Sequence, residues 1–432
     1  MKPSRHDRSR SRAQARRHTS PPAGRLAVLR RTWPLLAAAA WGAATWHGDA
    51  HAQARISGDV VRIGFITDMS GLYADIDGAG GVEAIRMAIA DMKGTVAGKK
   101  IEVIYADHQN KADIASAKAR EWFDTQGVDL LIGGTNSGAS LAMAKVAAEK
   151  KKPFIAIGAG SARLTNEDCT PYTVHYAYDT VALANGTGRA VVKAGGKSWF
   201  FLTADYAFGH SLQNDTAAVV TQSGGKVLGS VRHPLSASDF SSFLLQAQGS
   251  KAQILGLANA GGDTINAIKA ANEFGITQTM KLAGLLMFIN DIHALGLNTT
   301  QGMYMTDSWY WNQSPEARAW SRRFFDKMKR MPSSLQAADY SAAMHYLKAV
   351  DAAKTDDGDA VMKQMRATPI KDFYAQGSIR ADGRMVHDMF LLQVKSQKES
   401  TEPWDYFKVV TKIRGEDAFT RLANSKCALV RK

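Results

Sequence analysis

The segment Leu130-Leu-Ile-Gly-Gly-Thr-Asn-Ser-Gly138 passes from a short apolar run through a glycine-rich turn into the helical pattern of residues 139–150. This order is typical of a buried strand followed by a turn and a helix. Similar units surround it, with strands expected at 60–65, 101–105 and 154–157 and helices expected at 82–92 and 114–124. Because strands that alternate with helices form a parallel sheet, this part of the chain predicts an α/β layered structure.

A second series of the same kind comprises expected strands at 198–202, 254–257 and 280–283 and expected helices at 211–222 and 264–274. The extended aromatic stretch 172–179 between the two series is our candidate hinge, and apolar alternation at 389–394 and 406–413 predicts a β-hairpin. We therefore expect an α/β protein with two lobes, each a mainly parallel sheet flanked by helices. The expected bounds are 55–178 plus 307–384 for lobe 1, and 179–306 plus 385–432 for lobe 2.

Residues 1–54 have the organisation of a secretory signal peptide. Ten Lys or Arg residues precede an apolar run at 33–46, and Ala50-His-Ala52-Gln-Ala54 offers two small-residue cleavage sites. The apolar run is shorter than the roughly twenty residues of a membrane span. We expect cleavage near Ala52 or Ala54 and a periplasmic location. The pair Arg30-Arg31 leaves both the Sec and the twin-arginine export routes open.

The charge balance argues against a nucleic-acid partner. The formal net charge is +14, but residues 1–54 hold ten basic and two acidic side chains, so the remaining 378 residues carry +6. That remainder has no Lys/Arg blocks interleaved with aromatic residues, which are the usual signature of nucleic-acid binding.

The chain has two cysteines, Cys169 and Cys427. An oxidising compartment permits a disulfide between them, and two unlinked thiols are the alternative. With no Cys-x-x-Cys motif, the sequence predicts no metal site built on cysteine.

Two glycine-rich loops follow neighbouring expected strands. Residues 133–138 lead directly into a helix that Asn136 or Ser137 can cap, and Gly158-Ala-Gly-Ser161 follows the next strand. Ligands of parallel sheets bind at the carboxyl ends of the strands, and a helix N-terminus attracts an anion. The loops therefore predict a carboxylate site. The alternative is that these residues only satisfy turn geometry and capping.

Motifs for nucleotide binding and catalysis are incomplete. A P-loop at Gly196-Lys-Ser198 lacks its first glycine, since Val191 stands there, and the dinucleotide-like turn from Gly78 ends in Glu83. No histidine pair has metalloprotease spacing and no serine lies in G-x-S-x-G. We expect no cofactor, no metal and no enzymatic activity.

Four stretches together carry a resemblance to a known family: residues 61–71, 133–138, 158–165 and Asp205-Tyr-Ala-Phe-Gly-His-Ser-Leu212. Across residues 59–415 the chain resembles the leucine-binding-protein-like solute-binding proteins of branched-chain amino-acid ABC transporters. The resemblance implies a two-lobed type I periplasmic binding protein that closes on its ligand and presents it to a membrane permease.

The resemblance also implies a ligand site. It places the ligand carboxylate at Ser137, Gly158, Ala159 and Ser161, to which the capping argument adds Asn136 and Gly138. It places an aromatic lid at Phe208, with Tyr206 nearby.

One position departs from the family pattern. Amino-acid binders carry a Glu after the strand that here reads Lys281-Leu-Ala-Gly284, whereas this chain continues with Leu285, Leu286 and Met287. A buried ammonium without a carboxylate costs several kcal/mol. Together with Tyr73 and Tyr310, and a resemblance to the branch that binds aromatic acids, this favours an aromatic carboxylate as the ligand.

Alternatives stay open at this point. The Trp309-Tyr-Trp311 cluster is also typical of core packing, and Asp263, Asp75 or Asp77 can replace the missing Glu, which restores an amino acid or an amide as ligand. A sensor-type receptor binds ligand in the same way as a transport protein. We expect a monomer.

Overall fold

The structure, a computed structural model, describes residues 55–430. The signal-peptide interpretation of residues 1–54, with cleavage near Ala52 or Ala54, lies outside the described residues. None of the helices in residues 55–430 combines the length and hydrophobicity that crossing a bilayer requires.

The first sheet has six strands in the order β2-β3-β1-β4-β5-β6. All neighbours are parallel except β2 and β3, and Ile63 of β1 pairs with Val103 on one side and Leu130 on the other. β1 is buried along most of its length, as expected for a strand covered on both faces. The strands are β1 (Val60–Thr67), β2 (Thr95–Val96), β3 (Lys99–Asp107), β4 (Leu130–Gly133), β5 (Phe154–Ala156) and β6 (Thr173–His175).

Three helices connect the strands of this sheet, as the alternating pattern predicts. They are α1 (Gly78–Asp91), α2 (Ala112–Thr125) and α3 (Ser137–Lys150), and a 3₁₀ turn follows at Ala162–Thr165. α3 begins where Asn136 accepts a hydrogen bond from the N–H of Ala139 at 3.1 Å, which is an N-cap.

The second sheet has four parallel strands in the order β10-β9-β7-β8. They are β7 (Ser198–Ala204), β8 (Lys226–His233), β9 (Ile254–Ala258) and β10 (Lys281–Gly284). Its helices are α4 (Thr180–Leu183) and α5 (Arg189–Lys193), joined by a π-helical segment at Ala184–Gly188, then α6 (Ala207–Gln222), α7 (Ser241–Gly249), α8 (Gly262–Glu273), α9 (Ile289–Leu295) and α10 (Leu297–Thr300). A 3₁₀ turn lies at Ile276–Gln278.

The rest of the described chain adds two small antiparallel sheets, β11-β15-β16 and β12-β13-β14. The predicted hairpin is present as β15 and β16, with a bulge between Leu391 and Leu392. The strands are β11 (Tyr304–Asp307), β12 (Ile370–Lys371), β13 (Gln376–Ile379), β14 (Met385–His387), β15 (Met389–Val394) and β16 (Phe407–Ile413). The helices are α11 (Pro315–Met328), α12 (Ser334–Ala353), α13 (Gly358–Ala367) and α14 (Gly415–Ala418), with a final 3₁₀ turn at Leu422–Asn424.

The segment between β6 and α4 passes from the first sheet to the second. Two buried side chains, Arg384 and His387, hold it in place. The guanidinium of Arg384 donates to the carbonyl oxygens of Tyr176 and Tyr178, and Nε2 of His387 lies 2.8 Å from the carbonyl oxygen of Ala177. Arg384 is fully buried, and its pKa is lowered to about 10 because burial disfavours the charged form. These contacts give the predicted hinge stretch a defined path.

Cys169 and Cys427 form a disulfide in the structure, with their Cα atoms 5.6 Å apart. The bond joins the turn after the 160s loop to the chain end, where Lys426 also donates its backbone N–H to the side chain of Asn166.

Candidate functional site

The loops after five strands of the two large sheets meet at one narrow cavity of about 10 Å³. These loops follow β1, β4 and β5 in the first sheet and β7 and β9 in the second, and the segments after β6 and β10 join them. Convergence at the carboxyl ends of parallel strands is the usual site geometry of such sheets. The lining residues are Tyr73, Ile76, Thr135, Gly158, Tyr178, Tyr206, Phe208, Ala260 and Leu286.

Tyr73, Gly158, Tyr206, Phe208 and Leu286 were predicted from the sequence as site residues. Four further lining residues were not: Ile76, Thr135, Tyr178 and Ala260. The first three lie in the first loop, the glycine-rich turn and the candidate hinge, respectively. Ile76, Thr135 and Ala260 have small or apolar side chains that carry no chemical signal of their own, and Tyr178 was interpreted only as part of the hinge stretch.

α3 begins two residues after the lining residue Thr135, and neither Ser137 nor Ser161 is itself part of the cavity lining. Ser137 is fully buried, and its Oγ accepts a hydrogen bond from the backbone N–H of Ser161 at 3.1 Å. Thr135 and Gly158, which belong to the same two loops as Ser137 and Ser161, line the cavity. The first-turn N–H groups of a helix have no intrahelical acceptor, and at α3 the side chain of Asn136 accepts the N–H of Ala139.

The remaining predicted residues of these loops have structural partners. The side chain of Asn136 caps α3. Ala159 is buried, and its carbonyl oxygen contacts Nε2 of His175. Gly138 is half-buried in the first turn of α3. None of the three lines the cavity.

Several hydrogen bonds cross from the loops of the first sheet to the loops of the second. The hydroxyl oxygens of Tyr73 and Tyr206 lie 2.6 Å apart, and those of Ser161 and Ser211 lie 2.8 Å apart. In addition, the backbone N–H of Gly262 donates to the carbonyl oxygen of Leu72 at 3.1 Å. The two walls of the cavity are therefore in direct contact around its edge.

Glycine makes this close approach possible at two positions. A Cβ on Gly160 would lie 2.7 Å from the ring of Phe208, so the loop could not pack against that ring. Gly261 has φ of +56°, and a Cβ there would lie 2.4 Å from the carbonyl oxygen of Leu72. Both positions require a residue without a side chain.

No charged side chain lines the cavity within the described residues. Burial raises the pKa of the Tyr73 and Tyr206 hydroxyls, so both phenols are neutral at ordinary pH. The hydroxyl of Tyr178 donates to the carbonyl oxygen of Gly158 at 2.6 Å. The cavity therefore offers aromatic faces and hydroxyl groups.

The candidate acidic substitutes for the family's Glu do not reach the cavity lining. Asp263, in the first turn of α8, is buried and accepts the N–H of Ser236 at 3.2 Å, and burial raises its pKa to about 6. Asp75 pairs with Arg330. Asp77 accepts the hydroxyl of Thr67.

Leu286 occupies the cavity wall after β10, where the family's Glu is expected, and it is buried. The aromatic cluster after β11 lies elsewhere. The ring of Tyr310 packs at 5.9 Å from Trp311 and 5.3 Å from Phe407, and its hydroxyl points to Asp405 at 3.4 Å. The structure does not bring Tyr310 to the cavity, because its side chain packs against the β15–β16 hairpin region instead.

The family model for "periplasmic binding protein" matches residues 60–399. The chain belongs to the periplasmic binding protein family. A crystal structure of a periplasmic binding protein from Burkholderia mallei is 70% identical, superimposes with a TM-score of 0.86, and is matched over 86% of this chain and 100% of its own.

Other periplasmic binding proteins show the same relationship at lower identity. A branched-chain amino-acid ABC transporter ligand-binding protein from Burkholderia xenovorans is 37% identical, with a TM-score of 0.76, over 86% of this chain and 100% of that chain. A Leu/Ile/Val-binding protein homologue from Brucella melitensis is 27% identical over 56% of this chain, and the match spans 62% of that relative's length.

A solute-binding protein from Rhodopseudomonas palustris, solved in complex with 3,4-dihydroxybenzoic acid, shares the fold. It superimposes with a TM-score of 0.75 at 23% identity, over 83% of this chain and 98% of that chain. The α/β architecture with two parallel sheets is thus that of the type I periplasmic binding proteins.

Proposed function

We propose that this chain is the extracytoplasmic solute-binding component of an ABC importer and that it binds an aromatic carboxylate in the cavity. The observation that carries the choice of ligand is the lining itself, which contains three tyrosines, Phe208 and Leu286 and no acidic side chain. A flat apolar ring with one anionic end suits such a lining.

An amino-acid ligand fits this cavity poorly because its ammonium group needs a counter-charge. Leu286 supplies none, and Asp263 is hydrogen-bonded within its own sheet region. Burying an ammonium without a carboxylate costs several kcal/mol. Each 1.4 kcal/mol is about a tenfold loss of affinity.

The carboxylate end of the ligand belongs at the N-terminus of α3. Ser137 Oγ accepts one hydrogen bond from Ser161 and keeps its own hydrogen to donate. Backbone N–H groups of the first turn add further donors. An aromatic acid placed this way directs its ring toward Phe208 and Leu286, which line the same cavity.

We infer that binding closes two lobes about the 172–179 stretch. In this proposal lobe 1 comprises 55–178 plus 307–384, lobe 2 comprises 179–306 plus 385–432, and the Tyr73–Tyr206 and Ser161–Ser211 hydrogen bonds form on closure. The closed form then docks on a membrane permease. The dihydroxybenzoic acid complex of the Rhodopseudomonas palustris protein supports an aromatic acid as a ligand for this fold.

A thermal-shift panel on residues 55–432 tests the proposal. A ligand at about 100 times its dissociation constant adds about 2.7 kcal/mol of stability. We expect benzoate or a hydroxybenzoate to raise the melting temperature, while leucine, valine and benzamide leave it unchanged. A shift with leucine or valine alone would instead establish an amino-acid binder, as the name of the Brucella melitensis relative suggests for that protein.

A further inference from the structure

The pair of phenols at the cavity wall joins the two sheet regions. Tyr73 lies in the loop after β1 and Tyr206 directly precedes α6, and their hydroxyl oxygens are 2.6 Å apart. Both rings line the cavity. The pair is therefore available to a ligand only when the two walls are together.

The two phenols have one hydroxyl hydrogen more than their mutual hydrogen bond requires. Two phenols carry two hydroxyl hydrogens, and their mutual hydrogen bond uses one of them. Among the described residues neither hydroxyl makes a second hydrogen bond. Burial raises the pKa of both phenols, so the second hydrogen is retained and lacks an acceptor.

The other hydroxyl groups of the lining are already engaged. Tyr178 donates to the carbonyl oxygen of Gly158. Thr135 Oγ1 accepts the backbone N–H of Asp68 and lies 3.2 Å from Oγ1 of Thr67. The remaining lining side chains are apolar, so the phenol pair holds the one uncommitted hydroxyl hydrogen among the residues that line the cavity.

We propose that Tyr73 and Tyr206 together determine specificity by selecting aromatic carboxylates that carry a hydroxyl group on the ring. This inference rests on the proposed function. The hydroxyl oxygen of the ligand accepts the uncommitted hydrogen of the tyrosine pair. The hydroxyl hydrogen of the ligand is donated in return to an oxygen of one of the two tyrosines. An unsubstituted ring leaves that buried donor without a partner, which penalises binding.

Isothermal titration calorimetry with benzoate, 3-hydroxybenzoate and 4-hydroxybenzoate tests the assignment. For the unmodified protein we expect at least one hydroxybenzoate to bind about tenfold more tightly than benzoate, as a site built around a polar partner requires. The double variant Tyr73→Phe/Tyr206→Phe keeps both rings and removes both hydroxyls, so it should bind all three acids with similar affinity. Each single variant retains one hydroxyl hydrogen and should keep part of the preference.

Tyr304→Phe is the matched control, because Tyr304 lies on β11 outside the cavity lining and should leave the ratio of affinities unchanged. A merely structural role for the phenols would weaken all three acids equally and leave the ratio intact, which would overturn the assignment. Equal binding of the three acids to the unmodified protein would also overturn it. Failure of every benzoate to bind would instead overturn the proposed function.

Discussion

The side-chain oxygens of Ser161 and Ser211 lie 2.8 Å apart, and they join the loop after β5 of the first sheet to α6 of the second. Ser161 also donates its backbone N–H to Ser137. One residue thus connects the expected carboxylate site to the contact between the two walls of the cavity.

Ser211→Ala should weaken binding of an aromatic acid by roughly 0.5 to 1.5 kcal/mol, the usual net value of one hydrogen bond. The loss should appear mainly as faster dissociation, because the proposed closure places this contact in the ligand-bound form. Stopped-flow displacement measures it. Ser242→Ala, on an exposed position of α7, is the control and should bind normally. An unchanged dissociation rate in Ser211→Ala would contradict a closure role.

Ser137→Ala should weaken benzoate binding by roughly 1 to 3 kcal/mol, since a charge-assisted hydrogen bond to the carboxylate is lost. Calorimetry on the variant and on Ser116→Ala, a half-buried serine of α2 outside the cavity lining, provides the comparison. If Ser137→Ala binds benzoate as well as the parent protein does, the carboxylate does not lie at the N-terminus of α3.

Much of this architecture follows from the sequence, and the exceptions have physical reasons. The β4–α3 unit was predictable because its apolar run, glycine turn and cap are contiguous. β8 was not anticipated, since it is an edge strand with mostly exposed residues and no clear alternation. Leu286 was found as a departure from the family pattern, whereas Thr135 and Tyr178 have no such pattern to reveal them.

Contacts between segments distant in the chain could not be predicted from the sequence. The Ser161–Ser211 and Tyr73–Tyr206 hydrogen bonds depend on how the two sheet regions face each other, which no local pattern encodes. Tyr310 shows the converse problem. An aromatic run after a strand looks the same whether it lines a cavity or fills a core, and here Tyr310 packs against Trp311 and Phe407.

Reduction of the Cys169–Cys427 disulfide should destabilise the protein by about 2 to 4 kcal/mol, because the bond closes a long loop in the unfolded chain. Thermal unfolding with and without dithiothreitol measures the effect. The Cys169→Ser/Cys427→Ser variant should melt at the temperature of the reduced protein and should not respond to the reductant. A melting temperature that reductant leaves unchanged in the parent protein would contradict the bond's contribution.

Asp291 should make stability fall as the pH rises. Burial raises the pKa of Asp291 to about 7. The backbone N–H of Phe288, which donates to the carboxylate at 2.8 Å, opposes this effect but is the smaller of the two. The folded state therefore binds more protons than the unfolded state between about pH 4 and 7, so the group's contribution is present at low pH and is lost across that window.

Asp291→Asn keeps an acceptor for the N–H of Phe288 and removes the ionisation. Relative to the parent protein, its free energy of unfolding should therefore increase from pH 5 to pH 8. Urea unfolding of both proteins at the two pH values measures the difference. A pH-independent difference would show that the carboxyl group titrates alike in the folded and unfolded states.

Direct titration of residues 55–432 with benzoate, 4-hydroxybenzoate and leucine in a calorimeter tests the central claim most directly. The apolar and aromatic cavity, with Leu286 where an ammonium partner would stand, predicts saturable heat with at least one aromatic acid and none with leucine. Saturable binding of leucine, without binding of either aromatic acid, would contradict the account.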